Sequence, residues 1–196
     1  MNAFSYLFSL VCSQDAGRSF VIDGQALPFC QRCTGVYIGM GLSFAFLLLT
    51  RYHKKGLPPR GIVYINIVSL LVMPVFGYHV LDPGALWRMW SGLIFGNAIA
   101  FLLLPAASTI LAGGEVSGTY SRGATWWFII FLILLNVIPV LVPVYSSAFY
   151  GACLVLSVVG VLSVICCVLV VAGLVTMKAA RFLITKGLSH GYSKGL

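Results

Sequence analysis

The chain has 196 residues, 60% of them hydrophobic and only 8% charged, with a formal net charge of +8. Soluble domains carry roughly a quarter charged residues, so a soluble fold is excluded, and lipid is the natural solvent for most of this chain. Nor does the basic excess indicate nucleic-acid binding, because the basic residues fall mainly in two clusters beside apolar segments, a pattern that sets membrane orientation.

In chain order, the opening MNAFSYLFSLVC carries an apolar run of about ten residues, too short to span a bilayer. It lacks the basic start and small-residue cleavage site of a signal peptide. It is expected to be retained as a short helix at, or dipping into, the outer membrane interface. A polar preface follows, CSQDAGRSFVIDGQALPFCQRC, completing an N-terminal cap over residues 1–33. Beyond it, five segments approach or exceed the roughly 20 apolar residues that a spanning helix requires: 34–50, 61–80, 87–112, 124–144 and 147–177. Pro74, Pro139 and Pro143 predict kinks in the second and fourth of these. The fold class expected is an all-α integral membrane protein, a bundle of about five transmembrane helices with a cysteine-containing extracytoplasmic cap. Neither an internal repeat nor an acid or base near a span midpoint is present, which argues against ion-coupled transporters and proton pumps.

Orientation follows from the basic clusters. Arg51, Lys54, Lys55 and Arg60 lie between the first two spans, and Lys178, Arg181, Lys186 and Lys194 lie in the tail over 178–196. The positive-inside rule places both in the cytoplasm. The four intervening spans make the two assignments consistent, so the N-terminus is expected outside and the C-terminus inside. Trp87, Trp90, Tyr78, Tyr145 and Tyr150 fall near the outer ends, where an interfacial aromatic belt belongs.

The chemistry-bearing stretch is the preface. In Cys30-Gln31-Arg32-Cys33, the guanidinium of Arg32 and the start of a helix both favour thiolate over thiol. Three readings are open. A disulfide could pin the cap to the bundle. Cys30 and Cys33, with Cys12 as a third partner, could exchange with the disulfide of a thiol protein or pass electrons to a quinone. Alternatively, Cys12, Cys30 and Cys33 could bind zinc or another transition metal together with His79 or Asp82. Cys153, Cys166 and Cys167 lie in the fifth span and read as small hydrophobes, while His53 and His190 read as solvated. Arg18 reads first as a partner of Asp15 or Asp23, and Arg88 as an interfacial anchor. The sharper reading makes Arg18, Arg32 and Arg88 binders of an anionic headgroup or substrate through their planar forks. Gly92 and Gly96 stand four apart, a spacing that lets helices approach closely, either within this chain or against other membrane subunits. Walker, HExxH and dinucleotide fingerprints are absent, so nucleotide and protease chemistry have no support.

The order of residues in the preface also resembles a known family. Cys12, Gln14, Arg18-Ser19-Phe20, Gln25, Pro28, then Cys30-x-Arg32-Cys33-Thr34-Gly35 with Tyr37 and Gly39, is similar to the pattern C-H-Q, R-S-F, P-x-C-x-R-C-T-G-x-Y-x-G of small prokaryotic membrane proteins grouped as domain of unknown function 2085. Asp82, Arg88, Gly92 and Gly96 form a weaker later element of the same resemblance. It implies a polytopic membrane protein in which the three cysteines, Arg18 and Arg32 act together, and it implies no particular activity. Ser13 stands where the family has histidine, so a Cys-His-Cys-Cys metal site would be incomplete unless His79 or Asp82 completes it. The functional expectation is an extracytoplasmic thiol site serving exchange or a structural disulfide. The alternatives are a metal-binding membrane protein, a small-solute or lipid transporter, or a subunit of a larger membrane complex.

Overall fold

The computed structural model describes residues 8–9, 12–22, 24–77, 84–111, 120, 122–141 and 147–192. Within them the chain forms five long helices, α1 (Gln31–Leu49), α2 (Arg60–Gly77), α3 (Ala85–Leu111), α4 (Arg122–Leu141) and α5 (Ser147–Tyr192). Three are long and apolar enough to cross a membrane, over Gln31–Leu49, Ala85–Leu111 and Tyr150–Met177; Arg60–Phe76 and Gly123–Val137 are shorter apolar helices. The helix starts lie within three residues of those expected from the sequence. The C-terminal tail differs: α5 runs on through Lys178 and Arg181 to Tyr192. The segment KAARFLITK is built largely from good helix formers and carries no proline, so nothing in it stops the helix where the apolar run ends.

Each boundary has a local cause. Cys30 is the extended residue before α1, and Thr50 closes that helix with its hydroxyl donating to the Phe46 carbonyl at 2.6 Å. Arg51 then adopts a left-handed φ of 56°, turning the chain away. Helix α2 starts behind Pro58-Pro59, with the Pro59 carbonyl accepting from the amides of Ile62 and Val63; proline is favoured just at a helix start, where its missing N–H costs nothing.

Helix α1 is the central element and packs on α3 and α5. Its contact with α3 is backbone on backbone. A Cβ added to Gly35 or Gly39 would come within 3.0 Å of the Met89 or Leu93 backbone, and one added to Gly92 or Gly96 would do the same to Arg32 or Val36. The paired numbers rise together, so α1 and α3 run parallel. The Gly92/Gly96 spacing therefore serves packing within the chain, against a matching pair, Gly35 and Gly39, on α1. Around this seam lie Val36, Ile38, Met40, Met89, Leu93, Ile94 and Ala100, all buried. A second layer of aromatic rings, Phe46, Phe101, Phe128 and Phe131, joins α1, α3 and α4. By contrast Tyr64, Ile65, Val68 and Leu71 of α2 and Val155, Leu162, Val168 and Leu169 of α5 are exposed. Such faces are at ease in hydrocarbon, and the backbone groups behind them are satisfied within each helix.

Polar groups inside the bundle are paired across it. The Ser43 hydroxyl donates to Asn97 Oδ1 at 2.8 Å, the Asn97 amide donates to Asn66 Oδ1 at 3.2 Å, and the Asn66 amide donates to the Ile62 carbonyl at 2.8 Å. This chain of bonds ties α1, α3 and α2 together. At the other end, the Tyr120 hydroxyl sits between the carbonyls of Tyr52 and Gly56. His53, expected to be solvated, is instead half-buried, with Nδ1 2.9 Å from the Leu47 carbonyl and its own carbonyl accepting from Ser108.

The cap holds two strands that the sequence reading did not resolve, β1 (Ser19–Ile22) and β2 (Gln25–Cys30), paired antiparallel. Ile22 pairs with Gln25, and Gly24, just before β2, takes a φ of +76°. The Asp23-Gly24 dipeptide between short apolar runs is a standard hairpin signal and was the cue for it. Phe20, Leu27 and Phe29 are buried and fasten the hairpin onto the bundle, where Phe20 and Leu27 join a cluster with Ile38, Leu93 and Cys153.

Candidate functional site

The hairpin register assembles the site. Ser19 pairs with Cys30, which brings the segment before β1 alongside the start of α1. That segment is folded tightly. Asp15 caps a turn of 3-10 helix over Ala16–Arg18, accepting from the Gly17 amide at 3.0 Å, and its backbone carbonyl accepts from the Ser19 hydroxyl at 3.1 Å. Gln14 takes a left-handed φ of 51°, reversing the chain just after Cys12. Upstream, the Cys12 amide donates to the Phe8 carbonyl at 3.0 Å, and the Phe8 ring packs tilted against Phe29 at 4.7 Å between centroids. Phe8 and Ser9 are helical; the other residues of the opening segment before Cys12, on which the expected interfacial helix falls, lie outside the described residues.

The sulfurs of Cys12, Cys30 and Cys33 lie within 4.8 Å of one another. All three are free thiols, Cys12 buried and the other two half-buried. The Cys30 amide also donates to Cys12 Sγ at 3.3 Å. The thiols of Cys30 and then Cys33 donate toward Cys12, with the Cys30 and Gln14 backbones adding to them, so the Cys12 thiol is held well below the ordinary thiol range. The same bond holds the proton on Cys30, and its pKa is raised chiefly by Cys12. The arrangement is three converging sulfurs with the thiolate form favoured at Cys12, a donor set suited to a soft or borderline metal ion and to nucleophilic attack.

Beside the sulfurs is a small pocket of about 80 Å³ lined by Ser13, Asp15, Arg18, Cys30, Gln31, Arg32 and Arg88. All three arginines singled out in the sequence therefore meet at one place, although Arg88 comes from α3. Arg18 pairs with Asp15, Nε to Oδ2 at 3.3 Å. Arg32 Nη2 donates to the Phe76 carbonyl at 2.9 Å, reaching the C-terminal turn of α2, where a cation is favoured by the exposed carbonyls. Arg88 Nη1 donates to Gln31 Oε1 at 3.1 Å. Gln31 was not singled out from the sequence; a polar residue between two cysteines at a helix start was the available signal.

Of the remaining sequence candidates, His79 and Asp82 lie outside the described residues, as do Asp23, Tyr78, Pro143 and Tyr145. Cys153 is buried in the apolar cluster beneath the hairpin, and Cys166 is exposed on α5. Thr34 is fully buried behind the site, its hydroxyl directed at the Phe29 carbonyl at 3.5 Å.

The family described as "Predicted membrane protein (DUF2085)" matches residues 12–102, the cap through most of α3. An uncharacterized protein of Methanothermobacter thermautotrophicus is 30% identical over 105 residues, covering 48% of this chain and 86% of the relative. An uncharacterized protein of Methanocaldococcus jannaschii is 28% identical over 104 residues, covering 50% of this chain and 65% of that relative. No solved structure matches. The chain belongs to the DUF2085 family of predicted membrane proteins.

Proposed function

We propose that this DUF2085 member binds one thiophilic metal ion, of the zinc or copper(I) class, through Cys12, Cys30 and Cys33 at the outer face of the membrane. The convergence of three sulfurs from three separate positions carries the reading. Ligand sulfurs at about 2.3 Å from a tetrahedral ion stand about 3.8 Å apart, and these three lie within 4.8 Å of one another in a half-buried cradle. A cross-link needs only two thiols; a third drawn to the same point, with its thiolate already favoured, is what a metal requires. Ser13 leaves the fourth position to His79, Asp82 or an exogenous ligand. Asp15 is engaged with Arg18 instead.

The accompanying topology is five crossings with the cap outside and the basic tail in the cytoplasm. The parallel run of α1 and α3, joined through α2, supports alternating crossings, and Trp126 and Trp127, both exposed at the start of α4, suit the opposite interface from Trp87.

The test is elemental analysis of the purified protein. About one zinc or copper per chain is expected, lost on Cys12→Ser, Cys30→Ser or Cys33→Ser and retained on Cys166→Ser. A wild-type protein that folds normally and takes up neither ion when supplied refutes the reading.

A second reading is favoured by the lowered Cys12 thiol. In it the Cys12 thiolate attacks the disulfide of a thiol protein, expelling one partner thiolate, and Cys30 or Cys33 then displaces the second, leaving an internal disulfide and a fully reduced partner. Thiols that remain reduced in intact cells and after exposure to an oxidised thiol protein would eliminate it.

A further inference from the structure

The arginine pocket beside the sulfurs is a site in its own right. We infer that Arg18, Arg32 and Arg88 bind a phosphate-class oxyanion, either a free phosphate or the phosphate of a lipid headgroup. The inference stands apart from the metal reading, because Cys30 alone is common to the pocket and the thiol cluster.

Charge is the first support. Among the described residues that line it, three guanidinium groups stand with one carboxylate, that of Asp15. Position is the second. Arg32 is the second residue of α1, Arg88 is the fourth of α3, and neither helix has an acid in its first turn. Helix N-termini carry partial positive charge, so both helix starts add to the positive field of the guanidinium groups around the pocket. The third support is an unmet donor. Among the described residues Arg32 Nε is buried and has no hydrogen-bond partner, and a buried donor on a charged group left unpaired is costly.

The guanidinium groups are also held in place. The Asp15, Phe76 and Gln31 bonds fix one edge of Arg18, Arg32 and Arg88 respectively. Planar forks restrained in this way lose less freedom on gripping an oxyanion than a flexible lysine would. Size sets the class of ligand. At about 10–15 Å³ per water on this measure, 80 Å³ admits several waters or one small tetrahedral anion. A nucleotide or sugar phosphate could insert only its phosphate. Ser13 lines the same pocket.

The experiment has two arms on the full-length protein. In phosphate-free maltoside detergent, calorimetric titration with inorganic phosphate is expected to show saturable binding of one per chain, weakening as salt rises. In vesicles with and without phosphatidylglycerol, native mass spectrometry is expected to show one retained anionic lipid per chain if the headgroup is the natural source. Success in either arm supports the site, and the pair tells the source. Arg88→Gln and Arg18→Gln should each weaken binding about tenfold or more, the loss of one charge-assisted bond. Ser13→Leu, which fills the pocket without removing a charge, should abolish it, and Arg51→Gln should leave it unchanged. Ser13→Leu keeps the inference testable if an arginine variant fails to fold. Failure of both arms, or binding indifferent to Ser13→Leu and Arg88→Gln, overturns it.

Discussion

Substituting Gly96 by alanine probes the seam on which both sites depend. An added Cβ would lie 2.8 Å from the Val36 carbonyl carbon, with that carbonyl's oxygen closer still, whereas ordinary contact begins at 3.4 Å. Helices α1 and α3 must therefore part by at least half an ångström, and the obstacle is backbone, which cannot rotate aside as a side chain can. Overpacking of this kind costs about 1–3 kcal/mol. Within a membrane no hydrophobic force draws helices together, so close packing is itself the attraction being lost. Gly39→Ala on the facing helix should cost a similar amount. The double variant should cost less than the two singles combined, because one parting of the helices relieves both clashes. Gly173→Ala, where an added Cβ meets nothing within 4 Å, should be neutral or stabilising by up to about 1 kcal/mol. The assay is unfolding of detergent-solubilised protein by sodium dodecyl sulfate, followed by tryptophan fluorescence. Gly96→Ala should also lower metal and phosphate occupancy, because the seam sets how far Arg88 on α3 stands from Arg32 and Cys33 on α1. A Gly96→Ala protein as stable as wild type, or a Gly173→Ala protein equally damaged, would refute the reasoning.

Asn97→Ala removes the middle of the Ser43–Asn97–Asn66 chain and should lower stability by about 0.6–2 kcal/mol, read in the same unfolding assay; Asn136→Ala, whose amide only returns to the Leu132 carbonyl of its own helix, should cost less. Tyr120→Phe loses the hydroxyl shared between the Tyr52 and Gly56 carbonyls and should cost about 1 kcal/mol. Burial pushes the Tyr120 phenol up to about 12. Its contribution is thus complete below pH 10 and is lost as pH rises through about 12, so wild type and Tyr120→Phe should differ by the same margin at pH 7 and pH 9. For the topology, an N-terminal epitope should be cleaved by protease added to intact cells while a C-terminal one survives, and the reverse pattern would invert the orientation proposed above.

Several features were open to reading in the sequence because they depend only on neighbours along the chain. Five apolar helices follow from apolar run length, and the preface order carries the family. The Gly92/Gly96 spacing announced a close approach, though not its partner. Gly35 and Gly39 were in view only as members of the family pattern, because a glycine's role in packing depends on what faces it. Gln31 and the Ser43–Asn97–Asn66 chain were hidden for the same reason: their partners lie 57, 54 and 31 residues away. The hairpin had a local signal in Asp23-Gly24 but was masked by the helical, apolar character of everything after it.

Composition and local pattern by themselves determined that this is a helical membrane protein, where its helices begin, and which cysteines and arginines were worth watching. They could not decide whether Cys12 belongs with Cys30 and Cys33, or whether Arg88 belongs with Arg18 and Arg32. Only the tertiary structure settled those groupings. The Ser19–Cys30 register and the reversal at Gln14 carry Cys12 back to the start of α1, and the glycine seam brings the first turn of α3 alongside it. Local sequence fixes a residue's chemistry and its element, but the distance between two side chains is set by how those elements pack.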